Sequence, residues 1–88
     1  MTLSFTDTGW EDYSFWQDND SKLLLRINEL IKDIKRNPVK GLGKPEPLGR
    51  NLSGWWSRKI NNGHRLIYKI SGTKPDQILT IMQARYHH

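Results

Sequence analysis

A stretch rich in glycine and proline, residues 37–54, divides this 88-residue chain into two halves with different hydrophobic periods. Before it, apolar residues recur at helical spacing. After it, they come in short runs separated by turn residues. In the first half Leu23, Ile27, Leu30, Ile31 and Ile34 fall on one stripe of a helix, with Glu29, Lys32 and Arg36 on the other side and Pro38 as its stop. An earlier helix carries Trp10, Tyr13 and Trp16. Thr8-Gly9-Trp10-Glu11 has the form of a capping box, with Thr8 as N-cap. Asn19-Asp20-Ser21 breaks that helix and caps the next, and Leu3-Ser4-Phe5 reads as a short strand at the start. In the second half, residues 55–60 and 64–70 read as strands joined by Asn61-Asn62-Gly63, a hairpin signal because Asn and Gly tolerate positive φ. Residues 71–76 form a second turn and 77–86 a final strand. The order β-α-α-β-β-β predicts an α+β domain over residues 1–88, with two helices on one face of a mostly antiparallel sheet.

The composition narrows the function. Net charge is +5, yet residues 1–20 hold five acidic groups and no Lys or Arg, so everything after Ser21 is strongly basic. That distribution suits a polyanion, either nucleic acid or an acidic protein, and equally suits a merely soluble surface. There is no cysteine, which removes disulfides and thiolate-held zinc. No signal peptide and no membrane span are expected, and a cytoplasmic location follows as an expectation. Gly41-Leu42-Gly43-Lys44 lacks the spacing of a phosphate loop. No metal-ligand spacing is present, so neither metal nor cofactor is expected.

Several residues are able to carry chemistry. Glu46 stands between Pro45 and Pro47, which stiffen the chain and push Lys44 and Glu46 towards extended backbone. Glu46 is then either an ordinary turn carboxylate or a base on a rigid arm. Arg65, beside the hairpin turn, offers a permanent charge and a planar fork to a phosphate. Arg58, Lys59 and Lys44 are either solvated charges or the lining of the same groove. His87 lies one residue from the chain's α-carboxylate, which favours a protonated imidazole. One ring of Trp55-Trp56 packs inward and the other faces out, by strand alternation.

Five segments carry a resemblance: Asn28-Glu29-Leu30-Ile31-Lys32, Gly43-Lys44-Pro45-Glu46-Pro47-Leu48, Asn51-Leu52-Ser53-Gly54-Trp55-Trp56-Ser57-Arg58-Lys59-Ile60, His64-Arg65-Leu66 and Ala84-Arg85-Tyr86-His87-His88. In order and spacing the chain resembles YoeB-type toxins of the RelE superfamily, which are ribosome-dependent mRNA endoribonucleases. The resemblance implies a RelE-like fold with one further short strand before the Trp pair. It implies Glu46 as general base, Arg65 on the scissile phosphate and His87 as general acid, with no metal. It implies RNA contacts from Lys44, Arg50, Arg58, Lys59, Arg85, Tyr86 and His88. Implied partners are the ribosome and mRNA, an acidic antitoxin of the YefM type and a second toxin copy, with DNA reached only through the antitoxin. Gly49 departs from the Lys often found there, and Arg50 is its substitute. His88 stands where the family often ends in Tyr. The alternatives are a non-catalytic RNA- or ribosome-binding module and a protein-interaction domain.

Overall fold

The computed structural model describes residues 1–86. Its elements are β1 (Thr2–Phe5), α1 (Asp7–Asn19), α2 (Ser21–Arg36), β2 (Glu46–Pro47), a 3-10 turn (Arg50–Leu52), β3 (Trp55–Lys59), β4 (Arg65–Ser71) and β5 (Ile78–Gln83). The strands form one sheet in the order β1-β5-β4-β3-β2. β2, β3, β4 and β5 pair antiparallel in succession, whereas β1 joins β5 in parallel at the edge. The sheet is therefore mixed, and its extra strand, β2, lies inside the segment read as a loop.

Both helices cover one face of the sheet. The stripe of α2 is buried as its spacing requires, with Ile27, Leu30 and Ile34 fully inaccessible. It packs on Leu66 and Tyr68 of β4 and on Leu79 and Ile81 of β5, with Trp16 of α1 closing one end of the core. Burying a side chain of this size contributes about 1.5–3 kcal/mol, so α2 is held by its stripe more than by its own propensity. Tyr13 ties the helices together by donating its hydroxyl to Asn28 Oδ1 at 2.7 Å.

Three local features differ from expectation. α1 starts two residues early, because its N-cap is Thr6, not Thr8: Thr6 Oγ1 accepts the Gly9 N–H at 3.0 Å. The same hydroxyl donates to the Met82 carbonyl at 2.9 Å, so a contact with β5 selects the cap. Gly9 fits there because any Cβ would collide with the Ile81 carbonyl. The turn between β3 and β4 is not a two-residue turn with positive φ at Asn62 and Gly63. Instead Asn61 Oδ1 accepts the N–H groups of Gly63 and His64, each at 2.9 Å, making a wider side-chain-built turn. Lys44 is left-handed, with φ 52°, rather than extended. The chain bends there because the Gly43 carbonyl accepts the Lys59 N–H at 2.7 Å, which pins the loop against β3.

Candidate functional site

The face of the sheet away from the helices carries the site. Cross-strand register sets its composition: Glu46 pairs with Ser57, Ser57 with Ile67, and Ile67 with Gln83. Paired residues share a face, so the odd-numbered positions of β3 and β4 point away from the helices and the even-numbered ones point towards them. Arg65 therefore stands on the open face. Its Nη1 donates to Glu46 Oε1 at 3.3 Å and to Ser57 Oγ at 3.3 Å. Glu46 is largely exposed and Arg65 about one-third exposed, so both are reachable by a ligand while already aligned on each other. Ser57 is buried, and no sequence motif singled it out; its signal was its place directly opposite Glu46.

On the other side of Arg65 runs the chain after β5. The Arg65 N–H donates to the Tyr86 carbonyl at 3.1 Å. Tyr86 is exposed and bends back with φ 60°. Ala84 is anchored twice to α1: its N–H donates to Asp12 Oδ2 at 3.0 Å, and its carbonyl accepts from Trp16 Nε1 at 2.8 Å. Glu46, Arg65 and the tail are thus gathered around the start of β4. His87 and His88 lie outside the described residues.

The remaining basic residues divide. Lys44 and Lys59 line one shallow depression together with Arg26. Arg50 is exposed on the 3-10 turn, with φ 57°. Arg58 is a correction: it does not line the groove. As an even-numbered residue of β3 it points under the helices and is fully buried. Its Nε donates to the Tyr68 hydroxyl at 3.2 Å, and Nη1 donates to Asp33 Oδ2 at 2.6 Å and the Leu42 carbonyl at 3.0 Å. Nη2 donates to the carbonyls of Asn37 at 2.6 Å and Lys40 at 2.8 Å. This guanidinium ties down the loop that leads to Glu46. The Arg58 hydrogen bond, helped by the Leu42 N–H and by nearby cationic charge, holds the Asp33 carboxyl below its ordinary value. Burial pushes the Tyr68 phenol up, against the opposing pull of Arg58. Arg85 packs on α1 and stays partly exposed. Its guanidinium lies 4.2 Å from the Phe15 ring centre, and Nε is 3.4 Å from Asp12 Oδ1, near enough for an ion pair but not aligned as a hydrogen bond.

Trp56 packs against the core, and Trp55 takes the outward position, with Lys69 Nζ 5.6 Å from its ring centre. Among the described residues no three His, Asp or Glu side chains gather as a metal site. No helix there is long and apolar enough to cross a membrane.

Residues 5–88 match the family model for the YoeB-like toxin of bacterial type II toxin–antitoxin systems. The chain belongs to this family. A curated relative named Toxin YoeB from Streptomyces coelicolor is 54% identical over 88 residues, covering both chains completely. Among solved structures, a YoeB/ParE toxin from Agrobacterium tumefaciens is 45% identical with a TM-score of 0.95, again over the full length of both chains. Two Staphylococcus aureus structures, a YoeB dimer and a heterotetrameric YoeB–YefM complex, are each 42% identical, with TM-scores of 0.89 and 0.88; each covers all of this chain and 98% of the other. The fold shared with these family members is RelE-like.

Proposed function

We propose that this toxin is a ribosome-dependent endoribonuclease that cuts mRNA in the ribosomal A site, using the RNA's own 2′-hydroxyl as nucleophile. The observation that carries the reading is the Glu46–Arg65 pair, 3.3 Å apart on the open face with the C-terminal tail held on the far side of Arg65. Glu46 takes the 2′-hydroxyl proton. The 2′-oxygen attacks the adjacent phosphorus, and the P–O5′ bond breaks. Arg65 meets the negative charge that builds on the non-bridging oxygens. His87, which the sequence places directly after Tyr86, gives its proton to the departing 5′-oxygen. The products are a 2′,3′-cyclic phosphate and a 5′-hydroxyl. Charge balance is complete without a metal, because the arginine supplies the counter-charge and the two side chains move the protons.

The physiological partner we assign is an acidic antitoxin of the YefM type, and in that complex the toxin pairs with a second copy. The Staphylococcus aureus complex and dimer support both assignments. The site is open enough for an antitoxin segment to cover it, since Glu46 and Tyr86 are both exposed.

The test is 5′-end mapping of mRNA in a translation extract. Glu46→Gln and His87→Ala are each expected to slow cutting by roughly 10²–10⁴-fold, the usual contribution of a general base or acid. A variant that cuts at the parent rate loses its role. EDTA added where ribosomes stay assembled is expected to leave cutting intact. Loss of activity that a divalent ion restores overturns the mechanism.

A further inference from the structure

His64 has no part in the chemistry proposed above, yet it touches Tyr86. Its Nδ1 accepts the Tyr86 N–H at 2.8 Å. An Nδ1 that accepts cannot also carry a proton, so in this arrangement the ring is neutral with its hydrogen on Nε2. The imidazole is half-buried and stands edge-on to Trp16, with ring centres 4.7 Å apart; the Tyr86 ring centre lies 5.1 Å from it. Trp16 is itself fixed by its bond to the Ala84 carbonyl. Asp12, Trp16, His64 and Arg65 thus grip successive backbone groups of residues 84 and 86.

The grip is needed at Tyr86 more than elsewhere. Its φ of 60° is left-handed, a conformation a tyrosine adopts only where its surroundings over-determine it. Two hydrogen bonds hold it, one from its N–H to His64 and one to its carbonyl from Arg65. The second comes from the backbone of the residue that pairs with Glu46. Releasing the first leaves the bend held at one end only.

We propose that His64 is a positioning residue: its Nδ1 fixes the Tyr86 bend and so holds Tyr86 beside Arg65 of the Glu46–Arg65 pair. The inference rests on the ribonuclease reading for its effect on rate, but not for the contact itself. It separates His64 from the packing role that its contact with Trp16 alone would suggest.

Three substitutions in the full-length toxin test it. Asn places Oδ1 where Nδ1 stood, Gln reaches the place of Nε2, and Ala reaches neither. All three lose the ring contact with Trp16. His64→Asn is therefore expected to keep the single-turnover cleavage rate on programmed ribosomes within about threefold of the parent. His64→Gln and His64→Ala are expected to fall by about 10–100-fold at saturating ribosomes, with ribosome affinity little changed, as misplacement of a catalytic group by an ångström predicts. Amide hydrogen exchange supplies a readout independent of activity: the Tyr86 amide stays protected in the parent and in His64→Asn and loses protection in the other two. Equal rates and equal Tyr86 protection in the Asn and Gln variants would overturn the proposal and leave His64 a packing residue. If the parent does not cut RNA at all, the ribonuclease reading fails, and the exchange pattern alone judges the contact.

Discussion

A buried guanidinium survives folding only when every donor finds an acceptor, and Arg58 shows what that satisfaction does. Its five N–H groups reach Asp33, Tyr68 and three loop carbonyls, so one side chain closes the end of α2 and the loop before Glu46. Removing it takes this donor from the three loop carbonyls and leaves Asp33 with only the Leu42 N–H and the exposed Arg36. Arg58→Met is expected to cost about 3–5 kcal/mol, measured as a shift in urea midpoint at unchanged slope. A groove-lining arginine would cost little stability. The paired carboxylate adds a pH signature. Asp33 is held below its ordinary value of 3.8, chiefly by the Arg58 hydrogen bond, so folding favours its ionised form. The stability it contributes is present above that ordinary value and is lost as pH falls through the depressed folded value. Thermal melts are expected to show Asp33→Asn less stable than the parent at neutral pH, with a shallower fall in acid. Equal acid slopes would remove Asp33 as the titrating group. The true place of Arg58 was legible in principle. The hairpin register sets it opposite Leu66, and strand alternation puts it on the same side as Trp56. A charged residue on a strand invites a solvent-facing reading, which fails wherever a loop brings carbonyls to meet it. The contacts of Arg85 were hidden for a related reason, since nothing local to it points to Asp12 or Phe15 on α1.

At the scale of elements, what sequence period governs was readable and what distant pairing governs was not. The stripe of α2, the two strands of the β3–β4 hairpin and the order of every element but β2 and the 3-10 turn follow from spacing alone. The parallel seat of β1 beside β5 does not, because Thr2 pairs with Ile78 across nearly the whole chain. Nor does the Thr6 cap, which a contact with β5 selects. The pairing of Glu46 with Ser57 was likewise hidden, since a two-residue strand has no period to read. α2 also carries a residue that its own fold leaves unused. Leu25 lies on the polar side, 62% exposed, beside a depression lined by Leu3, Tyr13, Ile31 and the stems of Lys32 and Lys35. An exposed leucine is common, so its meaning rests on a measurement. If this face meets a second chain, Leu25→Lys weakens association of the toxin with itself or with its antitoxin while the melting temperature of the isolated chain stays put. Sedimentation of the toxin alone and in complex reads both. Unchanged association in both makes Leu25 simply an exposed leucine.

At the scale of the molecule, the uneven charge of the sequence acquires a direction. The acidic first twenty residues become β1 and α1, packed towards one edge of the sheet, where Asp12 is spent on the tail. The opposite edge and the open face carry Lys44, Lys59, Arg65 and Lys69. Two lysines of equal charge therefore differ in worth according to place. If Lys44 and Lys59 each meet an RNA phosphate, each releases counterions on binding and adds about 0.7 to the slope of log affinity against log salt for a single strand. The Lys44→Gln/Lys59→Gln pair is expected to lower that slope by about 1.4, measured on a single-stranded RNA over a range of salt. Lys32→Gln/Lys35→Gln removes the same net charge from the helical face by Leu25 and is expected to leave the slope nearly unchanged. The comparison holds total charge constant, so it reads position alone. Equal slopes for the two double variants would mean that RNA senses only the overall positive field. Lys44 and Lys59 would then contribute no more than their sign, and binding would owe its direction to the Glu46–Arg65 face by shape rather than by local charge.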